Sequence, residues 1–261
     1  RGGVGLPRQA RPRGRSVAQA LAARAAARHS LCSTPLILAI AGWHCITTGT
    51  HEAQRMKHNA PVLYLASQSP RRLQLLQQLG VQPALLVPGA DEDAEALEAV
   101  RRGEMPEAYV RRVTRAKLRA AVERLARRGM AMAPILAADT TVALGPRILG
   151  KPAEDAEARR MLAALSGRTH RVLSGVAVAA GGRTYAALNV SQVRFARLSR
   201  ATIADYVASG EPLGKAGAYA IQSALAGWVA HLEGSYSGVM GLPLHETARL
   251  LRRAGVSLAL R

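Results

Sequence analysis

The sequence predicts an α/β fold built on a mixed, twisted sheet with flanking helices. Three observations predict it. Short apolar runs alternate with amphipathic stretches between residues 62 and 165. Two long alternating runs, residues 169–180 and 183–196, meet at Gly181-Gly182, a hairpin signal that makes part of the sheet antiparallel. Helix starts are marked by Ser69-Pro70, where a cap residue precedes a proline suited to the first helical position, and again by Pro106 and Pro243.

In chain order, residues 62–66 read as a short apolar strand. A helix follows from Pro70 to about Leu79, with Leu73, Leu75, Leu76 and Leu79 as its apolar stripe and Gly80 closing it. Residues 84–87 form a second strand, which ends in the acidic loop Asp91-Glu92-Asp93. A long helix is expected over residues 106–128. Residues 135–144 read as a buried strand interrupted by Asp139, Thr140 and Thr141. The next helix, residues 154–165, puts Ala158, Met161, Leu162 and Leu165 on one face. After the hairpin come a short helix over residues 201–208, a Gly-rich stretch leading to Tyr219-Ala220-Ile221-Gln222, a strand over residues 228–232 and a last helix over residues 243–253. No internal repeat is visible.

The chain of 261 residues is long enough for a sizeable core. It holds 36 Lys and Arg against 17 Asp and Glu, a net charge of +19, yet only 3% of it is aromatic. So basic a chain suggests nucleic acid, but the low aromatic content argues against stacking platforms for bases. The charge is also unevenly placed. Residues 1–58 carry nine basic residues and one acid; such a segment can be a nucleic-acid arm or a transit peptide, and the preferred reading is a disordered or non-native leader without chemistry, the working domain being residues 59–261 with a start near Met56. The longest apolar run, residues 35–47, is shorter than the roughly 18 residues a membrane span needs. Both cysteines, Cys32 and Cys45, lie in the leader, which fits a reducing, cytoplasmic setting.

Four constellations can carry chemistry. Ser67-Gln68-Ser69-Pro70-Arg71-Arg72 sits at a strand-to-helix junction, where free N–H groups, hydroxyls and guanidinium forks suit a polyphosphate; the same residues also read as a cap and a solvated face. Asp139 lies in an apolar strand, where a carboxylate is expensive unless paired or metal-bound; it is a candidate general base or metal ligand, or else a strand-end cap. Lys151 follows the turn after that strand, and Lys117 shares the apolar face of the long helix; a snorkelling side chain is the plainer reading of Lys117 taken alone. Only four lysines exist in the chain, so inward ones invite an anionic partner. Finally, Gln222 can read a base edge through its amide, and residues 233–243 form a second Gly-rich loop before a helix. Asp91 and Glu92 can add oxygen ligands for Mg²⁺.

These motifs appear together in a known order: Leu65-Ala66-Ser67-Gln68-Ser69-Pro70-Arg71-Arg72, Ala138-Asp139-Thr140, Leu149-Gly150-Lys151-Pro152, Leu165-Ser166-Gly167-Arg168-Thr169-His170, Tyr219-Ala220-Ile221-Gln222, and Gly234-Ser235-Tyr236 through Gly241-Leu242-Pro243. Over residues 60–256 the chain resembles the Maf family of nucleoside triphosphate pyrophosphatases, also called septum-formation inhibitor proteins. The resemblance implies a Maf/ITPase-like fold with two lobes around a deep nucleotide-binding cleft, often as a homodimer. It implies hydrolysis of a nucleotide between its α- and β-phosphates with Mg²⁺ or Mn²⁺, giving a monophosphate and pyrophosphate. By motif, Ser67, Arg71 and Arg72 hold the phosphates. Asp139 is the base, Glu92, Lys117 and Lys151 complete the charged site, Asp139 and Glu92 hold the metal, and Gln222 contacts the base. Arg71, Thr140 and Gln222 are similar to the branch acting on dTTP and UTP rather than the branch acting on 7-methyl-GTP.

Two residues depart from the family pattern. Ser223 stands where Gly is usual and is expected to narrow the base pocket; Gly238 stands where Asn is common. The short apolar runs argue against a membrane span, and the scarcity of aromatic residues against a specific nucleic-acid partner. The competing readings are a nucleotide-binding regulator of cell division without turnover and a pyrophosphatase for purine triphosphates.

Overall fold

The computed structural model describes residues 62–90 and 92–260. The basic leader with its two cysteines, and Asp91, lie outside the described residues. The chain runs β1 (Tyr64–Leu65), α1 (Pro70–Gln78), β2 (Ala84–Leu85), a 3₁₀ turn (Ala96–Glu98), α2 (Pro106–Arg127), β3 (Ile135–Leu144), β4 (Arg147–Leu149), α3 (Asp155–Leu165), β5 (Thr169–Ala180), β6 (Arg183–Phe195), α4 (Arg200–Ala208), 3₁₀ turns at Ala216–Ala218 and Ala224–Trp228, β7 (Val229–Glu233), α5 (Tyr236–Met240) and α6 (Leu244–Arg253). The expected α/β class with a mixed sheet and flanking helices is what forms. β4 and α5 were not foreseen, and β1 covers only two of the five residues expected. Among the described residues no helix is long and apolar enough to cross a membrane.

The seven strands are ordered β2-β1-β3-β5-β6-β7, with β4 also on β3. β1 pairs in parallel with both β2 and β3, whereas β3, β5, β6 and β7 run antiparallel. β3 decides where a site can lie. One of its edges is filled by β5 from Ile135 to Ala143. The other edge is shared: β1 takes Ile135 and Leu136, and β4 takes Val142 to Leu144. Residues 137–141 are left between them without a strand on that edge. The loop after β1 and the loop after β4 both depart at this gap, just beyond the carboxyl end of a parallel strand, where α/β sheets bind ligands.

The pleat then sorts side chains onto two faces. Leu136 and Ala138 join Leu65, Leu75, Leu76, Leu250 and Leu251 in a core under α1 and α6. Ile135 and Ala137 join Leu118, Ala121 and Leu125 in a core under α2. A third cluster gathers α3, α4 and the far ends of the hairpin around Phe195, Tyr206 and Tyr219. In it His170 is buried and hydrogen-bonds the Tyr219 hydroxyl at 2.8 Å, tying β5 to the segment that leads to Gln222.

α2 is long because nothing breaks it. Pro106 opens it, Glu107 lies in the first turn, and Arg124 and Arg127 lie in the last turn, each sign matching the helix dipole. It approaches the sheet closely at Gly175, which pairs with Asp139 in the β3–β5 ladder. A Cβ at Gly175 would run into the Thr114 hydroxyl. Substituting Gly175→Ala is therefore expected to push α2 outward and lower stability by about 1–3 kcal/mol, read from the urea midpoint. Thr114→Ala in the same chain should recover part of that loss; no recovery would show that the contact is not what limits the approach.

Candidate active site

Because odd and even positions of β3 face opposite ways, Asp139 points with Ile135 and Ala137 toward α2, and Thr140 points with Leu136 and Ala138 toward α1. Both sit in the open stretch of edge. Asp139 is buried, 5% exposed, in the middle of a ladder, which removes the reading of it as a strand-end cap. Its Oδ1 lies 2.7 Å from Lys117 Nζ on α2, and Thr141 Oγ1 donates to its Oδ2 at 3.3 Å. Lys117 is three residues beyond Thr114, so the close approach at Gly175 is what brings the ammonium to the carboxylate.

On the other side lies the arginine corner. Ser69 occupies the cap position of α1, but its hydroxyl makes no cap hydrogen bond, and Pro70 has no N–H to satisfy. Instead Ser67 Oγ accepts from Ser69 N at 3.2 Å and from Arg72 Nη1 at 3.0 Å. Arg72 also donates from Nε to the Gly241 carbonyl at 2.9 Å and from Nη2 toward Thr140 Oγ1 at 3.5 Å. Arg71 Nε reaches the Met240 carbonyl at 3.4 Å. The end of α5 thus supplies carbonyls that aim both guanidinium groups. Thr140 is fixed in turn by Ser174 Oγ at 3.0 Å, which donates to the Gly238 carbonyl at 2.6 Å. Burial lowers the Arg72 pKa, and Asp139 partly offsets this.

Ser67, Arg71, Arg72, Lys117, Asp139, Thr140, Lys151 and Gln222 line one pocket of about 450 Å³. Glu92 is the expected site residue that the fold does not bring there. Its carboxylate is held by Arg124 at 2.7–3.0 Å through three contacts and by Arg127 at 3.1 Å, in an adjoining recess of about 220 Å³ that shares Ala94, Leu97, Ala120 and Arg124 with the first. Arg124 is buried, and its remaining Nη1 donates to the Leu86 carbonyl at 3.0 Å. The Arg124 hydrogen bonds hold the Glu92 carboxyl down to about 2.

The carboxylate found beside Asp139 is Glu98, which sequence reasoning missed. Its Oε1 lies 2.7 Å from Lys117 Nζ and its Oε2 lies 2.8 Å from Lys151 Nζ. Burial pushes its pKa up, but the two lysines outweigh this and hold it below the ordinary carboxylate value. Lys215, also overlooked as a site residue, lines the same pocket; burial and then Arg71 lower its pKa. Being the fourth lysine of an Arg-dominated chain was the one signal it carried. Glu98 carried none, since it lies among alternating Glu and Ala without a motif. Ser223 departs from expectation. It does not line the pocket but turns to Tyr206 Oη at 2.9 Å and donates to the Ala220 carbonyl at 2.7 Å, so it buttresses the Gln222 segment rather than narrowing the pocket.

Among the described residues no three His, Cys, Asp or Glu side chains gather as a metal group. The donors present are the Asp139 and Glu98 carboxylates, in a pocket also lined by Arg71, Arg72, Lys117, Lys151 and Lys215. That fits a hard cation such as Mg²⁺, which takes one or two carboxylates and completes its shell with substrate phosphates and water.

A strand-edge pocket with guanidinium groups on one flank and a carboxylate–lysine cluster on the other defines a nucleotide-handling class, and comparison gives it a family. The family model for Maf-like proteins matches residues 62–254, and the chain belongs to that family. It is 63% identical over 199 residues to a protein of Polaromonas sp. named dTTP/UTP pyrophosphatase, covering 76% of this chain and 98% of that one. It is 60% identical over 199 residues to the dTTP/UTP pyrophosphatase of Ralstonia nicotianae, covering 76% and 96%. The protein of the same name from Cupriavidus metallidurans is 60% identical over 195 residues, covering 75% and 98%.

The Glu92–Arg124 clasp makes a pH prediction. A carboxyl lowered from 4.5 to about 2 in the folded chain stabilises it fully above pH 4.5, and this contribution is lost as pH falls toward 2. Glu92→Gln should lower the melting temperature at neutral pH and flatten its fall over that acid range. An acid limb identical to that of the unchanged protein would refute the clasp.

Proposed function

We propose that the protein hydrolyses dTTP and UTP to the nucleoside monophosphate and pyrophosphate. The observation that carries this is the Lys117–Asp139 pair facing Arg71 and Arg72 across one pocket. The names of its relatives supply the substrates, and the reading of the residues supplies the roles.

Arg71, Arg72, Ser67 and the free N–H groups at the start of α1 hold the triphosphate, in the manner of helix N-termini generally. Asp139 accepts the proton of a water molecule as its oxygen attacks the α-phosphorus. The bond from that phosphorus to the bridging oxygen breaks, and the electron pair leaves with pyrophosphate. Lys117 fixes the Asp139 carboxylate at Oδ1, and Oδ2, which accepts from Thr141 on one lone pair, takes the proton on the other. Lys151 and Lys117 neutralise charge that grows on the phosphates, the main demand of phosphoryl transfer. Asp139 would hold a divalent cation, Mg²⁺ or Mn²⁺, which when bound screens the phosphate oxygens and acidifies water. Gln222 is exposed at the pocket wall, where its amide can pair with a pyrimidine edge. The cytoplasm, where nucleotide pools lie, is the setting for such a reaction.

A regulator that binds nucleotide without turnover has no use for a buried base held by a lysine, so the enzymatic reading is preferred. The test is pyrophosphate release with Mg²⁺ from dTTP, UTP, CTP, ATP, GTP and 7-methyl-GTP. Turnover confined to dTTP and UTP is expected; turnover of a guanine nucleotide alone would overturn the substrate assignment, and silence in folded protein would overturn the activity. Asp139→Asn should lower kcat by about 10²–10⁴-fold while calorimetry still detects nucleotide binding. Retained turnover would remove Asp139 from the mechanism. Gln222→Ala should bring the kcat/KM values for UTP and CTP together more than it lowers kcat for UTP; unchanged selectivity would refute the contact.

A further inference from the structure

A glutamine that reads a base carries an ambiguity. Its amide has an acceptor on one side and donors on the other, and the two sides exchange when the group turns over. Uracil presents a ring N–H beside a carbonyl, and cytosine presents a bare ring nitrogen beside an amino group. A loosely held Gln222 would therefore serve both. Selectivity has to come from how firmly the backbone holds the amide and which of its atoms it brings within reach.

The backbone under Gln222 is held from both ends. Ser223 N donates to the Ala220 carbonyl at 3.1 Å, closing a four-residue turn with Gln222 in third place. The hydroxyl of Tyr206, on α4, touches both ends of that turn. It accepts from Ala220 N at 3.4 Å and lies 2.9 Å from Ser223 Oγ. Ser223 Oγ is also 2.7 Å from the Ala220 carbonyl, which can only accept, so the Ser223 proton goes there. The proton between the two hydroxyls is then that of Tyr206, given to Ser223. The outcome is a closed circuit, from Ala220 N to Tyr206 to Ser223 to Ala220 O, in which each group donates once and polarises the next. Ser223 Oγ further accepts from Leu225 N at 3.3 Å and so caps the 3₁₀ turn that follows. Tyr206 is buried in the cluster around Phe195, which anchors the circuit in the core. Gln222 itself is exposed and lines the pocket, whereas Tyr206 and Ser223 do not line it. Glycine, the residue usual at position 223 in the family, would leave the Tyr206 hydroxyl without its acceptor and the turn with a single backbone hydrogen bond.

We propose that Ser223 and Tyr206 set base selectivity in this protein, by holding the backbone of Gln222 so that its amide pairs with uracil or thymine in preference to cytosine. Both are positioning residues and act through Gln222. The proposal rests on the pyrophosphatase reading, so its test includes binding measured without turnover.

Ser223→Gly, Tyr206→Phe and Ser223→Thr are compared with the unchanged protein, each alone and combined with Gln222→Ala. Pyrophosphate release gives kcat and KM for UTP and CTP. Calorimetry gives the affinities for α,β-methylene-UTP and α,β-methylene-CTP, which are not cleaved, and thermal melting is followed alongside. A hydrogen bond of this kind is worth about 2- to 10-fold in an equilibrium. Ser223→Gly and Tyr206→Phe should each lower the UTP-over-CTP ratio of kcat/KM by about that factor, chiefly through a higher KM for UTP, and lower the ratio of analogue affinities alike. Ser223→Thr, which keeps a hydroxyl, should keep the selectivity. In the Gln222→Ala background neither loss should recur. Undiminished selectivity in both Ser223→Gly and Tyr206→Phe overturns the proposal. So does a loss of the same size without Gln222, and so does equal affinity of the unchanged protein for the two analogues. Tyr206→Phe keeps its ring in the core and is read by the same outcomes should the glycine variant melt early. Failure of the pyrophosphatase reading looks different: the unchanged protein would release no pyrophosphate while the analogue affinities still shift as stated.

Discussion

The ion pair between Lys117 and Asp139 is the contact on which the rest of the site depends. It joins a helix to a strand across a largely buried face, where pairing offsets the cost of taking each charge out of water. Its formation needs α2 to lie unusually close to the sheet, which the missing side chain of Gly175 permits. It also needs β3 to have an uncovered stretch of edge, which the separation of β1 from β4 provides. The pair is thus a product of packing and topology together, and the chemistry proposed for Asp139 follows from both.

Around that pair the charges are divided by flank. Lys117, Lys151 and the carboxylates lie toward α2 and the loop after β4. Arg71 and Arg72 lie toward α1, aimed by carbonyls at the end of α5. Positive groups outnumber the two carboxylates, which suits a pocket meant to receive a polyanion. Ser174, Thr140 and Arg72 form a continuous hydrogen-bonded line from Gly238 to Ser67, so the two loops that flank the arginine corner are mechanically linked.

Much of this was legible in the residues. The Gly181-Gly182 hairpin, the proline-started helices and the lone carboxylate in an apolar strand all follow from local rules, and local rules held. Asp139 and Lys117 could be named because a charge at an apolar period is conspicuous, and Lys151 because it is one of only four lysines and follows the turn after that strand. What was not legible depends on partners distant in sequence. Glu92 is claimed by Arg124, 32 residues away, and nothing at either position announces the pairing. Glu98 enters the site on a turn whose Leu97, Glu98 and Ala99 carbonyls accept from Arg112 and Tyr109 of α2, and its carboxylate then meets Lys117 and Lys151. A sequence motif records side chains, and this placement is made through carbonyls. β4 is only three residues long, too short to show a period of its own, yet it closes one side of the gap. Ser223 looked like an intrusion into the pocket because its neighbour Gln222 lines it, but Tyr206 draws the hydroxyl the other way.

The alternation of β3 has an evolutionary corollary. Asp139 and Thr140 are adjacent in sequence and serve opposite faces, one toward the lysines and the other toward the arginines. Inserting or deleting a single residue upstream in this strand would exchange their faces and turn the hydrophobic neighbours out with them. The strand can therefore drift in composition but not in length. Length changes must collect in the connections, and the stretch between β2 and α2 is where the chain has room for them. A carboxylate held on a loop can be moved by remodelling that loop, whereas Asp139 on β3 is tied to a parity that no neighbouring residue can restore.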